Sequence, residues 1–180
     1  MATVREAVEA DLGAIQALVD ASWLATYAPL IGETETRRLI AEKHNLPKLR
    51  RQLAEPDDVF LVAEADGDIL GNVYGFPKPL PNRTQANAFY VDRLHARPDA
   101  KGRGIGTALI AACEARLPEG AILWLDVLRG NDAACGFYGA RGFVQAGETD
   151  CCGGLAGIPA MIMQKTVARH SLRPAPPLIA

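Results

Sequence analysis

The chain has 180 residues, with 19 basic and 21 acidic side chains and a formal net charge of −2. That length suits one domain with a substantial core, and that balance excludes recruitment to nucleic acid or to an acidic membrane by a global basic field. No apolar run approaches the roughly 20 residues that span a bilayer, and MATVREAVEADLG has neither an apolar signal core nor an Arg-rich, acid-poor composition, so a cytoplasmic protein is expected.

TVREA reads as a short strand, after which Leu12, Ile15, Leu18, Val19 and Trp23 recur at helical spacing and predict an amphipathic first helix. A second helical stretch is expected over about 33–53. DVFLVAEADGDILGNVYGF holds two apolar runs joined through Ala65-Asp66-Gly67-Asp68, which predicts a β-hairpin with a glycine available for positive φ. Pro77, Pro79 and Pro81 break the chain, and NAFYVDRLHA follows as a third long strand, rich in aromatic and branched residues. Over 104–117, Ile105, Ala108, Leu109, Ala112, Cys113 and Leu117 form one helical stripe that Pro118 stops. AILWLDVL is a strand, NDAACGFYGARGF a short helix opened by Asn131 as N-cap, and AMIMQKTV the final strand. Cys151 and Cys152 are placed in a glycine-rich loop, ETDCCGGLAGIP, between the last strands. With Cys113 and Cys135 they lack paired C-x-x-C spacing, so neither a disulfide framework nor a metal site is expected. The expected organisation is one domain over 1–167 and a Pro-rich tail over 168–180. Leu178 and Ile179 of that tail are expected to dock on the domain or on a second subunit, which leaves a homodimer open.

Between the third strand and the following helix lies KGRGIG, residues 101–106, with three glycines and two cations. A strand, a turn, a helix and another strand suggest a parallel pair with a crossover, and such units bind ligands at the carboxyl ends of their strands. Amides at the first turn of a helix have no internal partners and carry the positive end of the helix dipole, which favours a phosphate-like anion. Gly102, Gly104 and Gly106 would let it approach, and Lys101 and Arg103 would add charge-assisted hydrogen bonds. A pyrophosphate is the expected ligand. The dinucleotide fingerprint would need a glycine at Thr107, and the Gly-Lys-Ser/Thr of the P-loop is absent.

The pattern that does match is Gln/Arg-x-x-Gly-x-Gly/Ala, preceded by a strand ending in LHARPDA and followed about 25 residues later by Asn131 and FYGARGF. It resembles the GNAT superfamily of N-acetyltransferases, over most of the chain up to about Thr166. The resemblance implies an α/β fold: a mixed, mostly antiparallel central sheet, with a parallel strand pair at the coenzyme cleft and flanking helices. It implies acetyl-coenzyme A as co-substrate, with its pyrophosphate cradled by the amides from Gly102 to Thr107. The backbone of Leu94, His95 and Ala96 would pair with the pantetheine arm, Asn131 would face that arm, and Tyr138 would lie near the thioester sulfur. Lys101 stands where the family usually has Gln or Arg, which keeps the charge without planar bidentate geometry. Tyr90 stands where many members carry a glutamate base.

Acetyl transfer to an amine needs a neutral amine, a stabilised oxyanion and a proton for the departing thiolate. Backbone at Ala96 is the expected oxyanion donor and Tyr138 the expected acid. By the period of two, Tyr90, Asp92 and Leu94 share one face of their strand and His95 lies on the other, which makes Asp92 the nearest carboxylate for a base. Plainer roles compete: core packing for Tyr138, an ion pair with Arg93 or Arg97 for Asp92, a packed imidazole for His95. Trp23, Tyr27 and Tyr90 are candidates for an acceptor slot, although Trp23 and Tyr27 share a helix face and serve equally as core contacts. The expected reaction is direct attack by a primary amine in a ternary complex. A small-molecule amine is the first choice of acceptor and a protein N-terminus the second. A non-catalytic sensor of acyl-coenzyme A with the same fold is the alternative.

Overall fold

The computed structural model describes residues 2–81, 83, 87–152 and 155–168, with side chains for all of these except 151, 152 and 155–158. The docking expected of Leu178 and Ile179 lies outside the described residues. The elements run β1 (Thr3–Glu6), α1 (Leu12–Ile31), α2 (Glu33–Lys43), α3 (Leu46–Ala54), β2 (Val59–Ala65), β3 (Asp68–Pro77), β4 (Ala88–Ala96), α4 (Ile105–Glu114), β5 (Ile122–Leu128), α5 (Asp132–Gly139), β6 (Val144–Cys152) and β7 (Leu155–Thr166). The strands form one sheet in the order β1-β2-β3-β4-β5-β7-β6. Every neighbouring pair is antiparallel except β4 and β5. No helix among the described residues is long and apolar enough to cross a membrane.

The sheet buries both faces. On one, Leu61, Val73, Val91, Leu123 and Leu125 pack under Ile105, Leu109 and Ile110 of α4. On the other, Phe60, Val62 and Tyr74 meet Leu12, Ile15 and Val19 of α1 and Leu49 of α3. Gly71 lets α4 sit this close: a Cβ there would fall 2.6 Å from Ile105 Cγ2 and 2.9 Å from His95 O. The β2–β3 turn has positive φ at both Asp66 (54°) and Gly67 (85°), the backbone that matches a hairpin's right-handed twist. An aromatic ladder, Phe60, Tyr74, Phe76, Tyr90 and Trp124, crosses from β2 to β5 with successive ring centres 4.4 to 5.8 Å apart.

Three expectations change. The helix expected over 33–53 is two helices, because Asn45 caps α3 by accepting the Lys48 N–H at 3.0 Å and Pro47 sits in the first turn. Residues 144–152 form β6, so Cys151 and Cys152 belong to a strand rather than a loop. An edge strand buries little, which is why VQAGETDCC carries no apolar alternation; its partner β7 supplies the ladder. The third change is in β4. Tyr74 pairs with Arg93 while Gly75 pairs with Val91, so Asp92 is an extra residue with no partner on β3. This bulge inverts the alternation: Tyr90 joins the aromatic ladder, Arg93 and His95 reach the helices on that same face, and Val91 and Leu94 face α4. Tyr90, Asp92 and Leu94 therefore do not share a face, and His95 is not opposite Tyr90.

Candidate active site

β4 and β5 pair through three residues only, ending at Tyr90 and Trp124. Beyond them the strands part, and a cleft of about 540 Å³ lies between 91–96 and 125–128. Neighbouring peptide N–H groups of a strand point to opposite sides. Arg97 N–H donates to Leu70 O of β3 at 2.9 Å, so the N–H groups of Ala96 and Leu94 point away from β3 and into the cleft.

One end of the cleft is the Gly-rich turn. Gly104 stands just before α4 in the left-handed region at φ 79°, which a side chain would resist. The first α4 bond runs from Ala108 N–H to Gly104 O at 2.9 Å. Among the described residues, the amides of Gly102, Gly104, Ile105, Gly106 and Thr107 make no backbone hydrogen bond. Lys101, Gly102, Gly104, Gly106 and Thr107 line this end, whereas the exposed Arg103 does not. Arg141, in the turn just after α5, was not anticipated here. Its guanidinium lies 3.5 Å from the Phe137 ring centre, donates to Phe137 O at 2.5 Å and bonds Thr107 Oγ1, which ties α5 to α4 across the cleft.

The middle holds the side chains suited to proton transfer. Asn131 lines the cleft while its side-chain oxygen accepts the Ala134 N–H at 3.2 Å and caps α5. Tyr138 lines it too, with its ring against Phe137 and Phe143. Burial first, and the nearby Asp126 charge second, hold its phenol above the ordinary range and so protonated. Asp126 on β5 also lines the cleft and accepts the Tyr90 hydroxyl at 2.9 Å. Tyr90 itself, expected at the acceptor, is 2% exposed and lies outside the cleft, beneath Lys78 at 4.4 Å. Its aromatic neighbours on β3 and β5 hold it there. Asp92, on its bulge, borders the cleft and also a second, more open hollow beside Lys48 and Tyr74.

The other end is walled by α1, where Trp23 and Tyr27 both line the cleft with ring centres 4.5 Å apart. Trp23 Nε1 donates to His95 Nε2 at 3.1 Å, and His95 Nδ1 lies 3.1 Å from Ser22 Oγ. Burial, with the Arg93 and Lys101 charges, holds this imidazole down to about 3 and therefore neutral. Arg93, 1% exposed, lies 5.0 Å from both the Phe60 and the Tyr74 ring centres and donates to Asn72 and Gln52. Of the residues that sequence reasoning passed over, Asp126 had a signal, as the one acid in AILWLDVL, and Arg141 stood inside a quoted motif. Ser22 had none.

The sequence model of the acetyltransferase (GNAT) family matches residues 18–143. The chain is 34% identical over 113 residues to a phosphinothricin N-acetyltransferase of Alcaligenes faecalis, covering 59% of this chain and 55% of that one. It is 37% identical over 92 residues to an acetyltransferase of Pectobacterium atrosepticum, covering 50% and 60%. The chain thus spans little more than half the length of these two relatives. Among solved structures, the PaiA N-acetyltransferase of Thermoplasma acidophilum in complex with coenzyme A superposes with a TM-score of 0.75 at 24% identity, over 92% of this chain and 99% of that one. Because the matched span takes in both the Gly-rich turn and the α5 helix that face each other across the cleft, the chain belongs to the acetyltransferase (GNAT) family.

Proposed function

We propose that the protein transfers an acetyl group from acetyl-coenzyme A to a primary amine, by direct attack with both substrates bound. The observation that carries this reading is the cleft itself. It combines unpaired amides at a helix start, two free strand N–H groups and a protonated tyrosine facing the same space. When bound, the coenzyme supplies the activated acetyl group and a thiolate leaving group.

The amides from Gly102 to Thr107, with Lys101, hold the pyrophosphate, and the N–H groups of Leu94 and Ala96 hold the pantetheine arm and the developing oxyanion. Backbone of Leu94 to Ala96 and the Asn131 side chain flank that arm. Tyr138 donates its proton to sulfur as the carbon–sulfur bond breaks, and burial ensures that the phenol still holds that proton when the thiolate departs. Asp126 is better placed than Asp92 to receive the proton the amine loses. Both acids line the cleft, but it is the Asp126 charge that is felt at the Tyr138 phenol, and Tyr90 orients it. Asp92 instead faces the cations Lys48 and Arg93. Trp23 and Tyr27 flank the acceptor.

Coenzyme-thiol release with a panel of amines tests the whole reading. Release that requires an amine supports it. Tight coenzyme binding with no amine-dependent release would instead leave a sensor of acyl-coenzyme A.

A further inference from the structure

The hydrogen bonds at the α1 end of the cleft run in one direction only. An indole N–H donates and cannot accept, so His95 Nε2, 3.1 Å from Trp23 Nε1, carries a bare lone pair. A neutral imidazole has a single N–H, which is then on Nδ1, and Nδ1 lies 3.1 Å from Ser22 Oγ. The Ser22 oxygen is thereby the acceptor, and its own hydrogen must point elsewhere. Ser22 is 3% exposed, lines the cleft and makes no other hydrogen bond among the described residues. A buried hydroxyl donor left over on a cleft wall asks for a ligand atom with a lone pair.

The surroundings keep the chain of bonds from reversing. Protonation would put a second N–H against the Trp23 donor. The groups that face His95 are Arg93 on its own strand, Lys101 on the turn that follows, and His44 at the end of α2, itself neutral and held down to about 2 by burial and Arg93; Ser22 and Trp23 face it from α1. Both charges felt at His95 are therefore positive. A polyamine would bring further cations to this wall, where both charges repel them, and it would offer no lone pair on a charged nitrogen to the Ser22 hydrogen. A carbonyl or carboxylate oxygen suits both the field and the donor.

We infer that Ser22 reads an oxygen on the carbon attached to the acceptor's amine-bearing carbon, with Trp23 and His95 as positioning residues that hold its hydroxyl as a donor. The acceptor class is then an α-amino carbonyl compound with an apolar side chain lying against the Trp23 and Tyr27 pair. This rests on the transferase reading and narrows it. A free amino acid and the first residue of a peptide share that chemistry.

The test compares L-phenylalanine, L-phenylalaninamide and phenethylamine as acceptors for the full chain, with kcat/KM expressed per neutral amine. The expected result is a preference of about tenfold or more for one of the two oxygen-bearing amines over phenethylamine, the scale of one buried hydrogen bond. Preference for the acid identifies free amino acids, and preference for the amide identifies a peptide N-terminus. Ser22→Ala should bring the three amines to within about twofold of one another, mainly through KM, and Ser22→Thr should restore the preference. Nitrogen NMR should find the proton of His95 on Nδ1. The inference is overturned by equal use of the three amines by the parent. It is overturned equally by a uniform loss in a Ser22→Ala variant that keeps its thermal shift with acetyl-coenzyme A, or by a proton on Nε2. Release with no amine at all sinks the transferase reading and this inference together, whereas release that ignores the oxygen sinks only the inference.

Discussion

The two ends of the cleft are built on opposite plans. The Gly-rich end is made of backbone: amides of consecutive residues, spaced by glycines, at the start of one helix. The α1 end is made of side chains whose bonds join positions 72 and 73 residues apart, Trp23 and Ser22 to His95. A backbone cradle binds whatever bears the right anion and tolerates change in side chains that do not bend it. A side-chain network selects by the direction of each donor, and one altered partner changes what it reads.

The largest expected effect lies between the two ends. Tyr138→Phe removes one oxygen and keeps the ring against Phe137 and Phe143, so coenzyme affinity should hold while kcat falls by roughly 10² to 10⁴. A kcat within about threefold of the parent, for an amine whose chemical step limits the rate, would leave Tyr138 as packing only. Next comes the base. Asp126→Asn should lower kcat/KM by about 10² at neutral pH, well beyond the effect of Asp92→Asn. The reverse ranking would return the role to the bulge on β4.

Gly104→Val tests the backbone plan directly. A branched side chain at φ 79° is strained even though open space surrounds it, so the first turn of α4 should shift and most of the thermal stabilisation by acetyl-coenzyme A should vanish. An undiminished shift in a folded variant would show that the amides are not the cradle.

The smallest effect distinguishes the α1 end by pH. His44 and His95 are held down to about 2 and about 3, from an ordinary value near 6.5. Below pH 6.5 the unfolded chain binds protons that the folded one refuses, so stability is lost as pH falls from 6.5 toward 3. Each histidine contributes a slope of up to about 1.4 kcal/mol per pH unit. Denaturant midpoints measured between pH 7 and 5, above most carboxylate titration, should decline, and His44→Leu should halve the slope. Constant midpoints would mean that both imidazoles take up protons freely in the folded state.

Much of this was legible in the residues. The hairpin at Asp66-Gly67, the stripe of α4, the Asn131 cap and the Gly-rich turn each depend on a few consecutive positions. Local backbone preference and side-chain period settle such features before the chain folds. The Gly-rich end of the cleft could be read for that reason. β6 was not legible, because an edge strand draws its order from its neighbour. Neither was the bulge at Asp92: no residue type announces it, and it arises from the mismatch of Tyr74 and Gly75 against Arg93 and Val91.

That single unpaired residue had wide consequences at the site. It turned Arg93 and His95 toward α3 and α1 and left Asp92 between two hollows, while Tyr90, before the bulge, oriented Asp126. Strand identity and turn chemistry were written locally. Which carboxylate Tyr90 orients, and which hydroxyl meets His95, depended on register and on helices packing from distant parts of the chain. Sequence spacing carries no information about directions that a bulge can reverse, so only the assembled sheet could decide them.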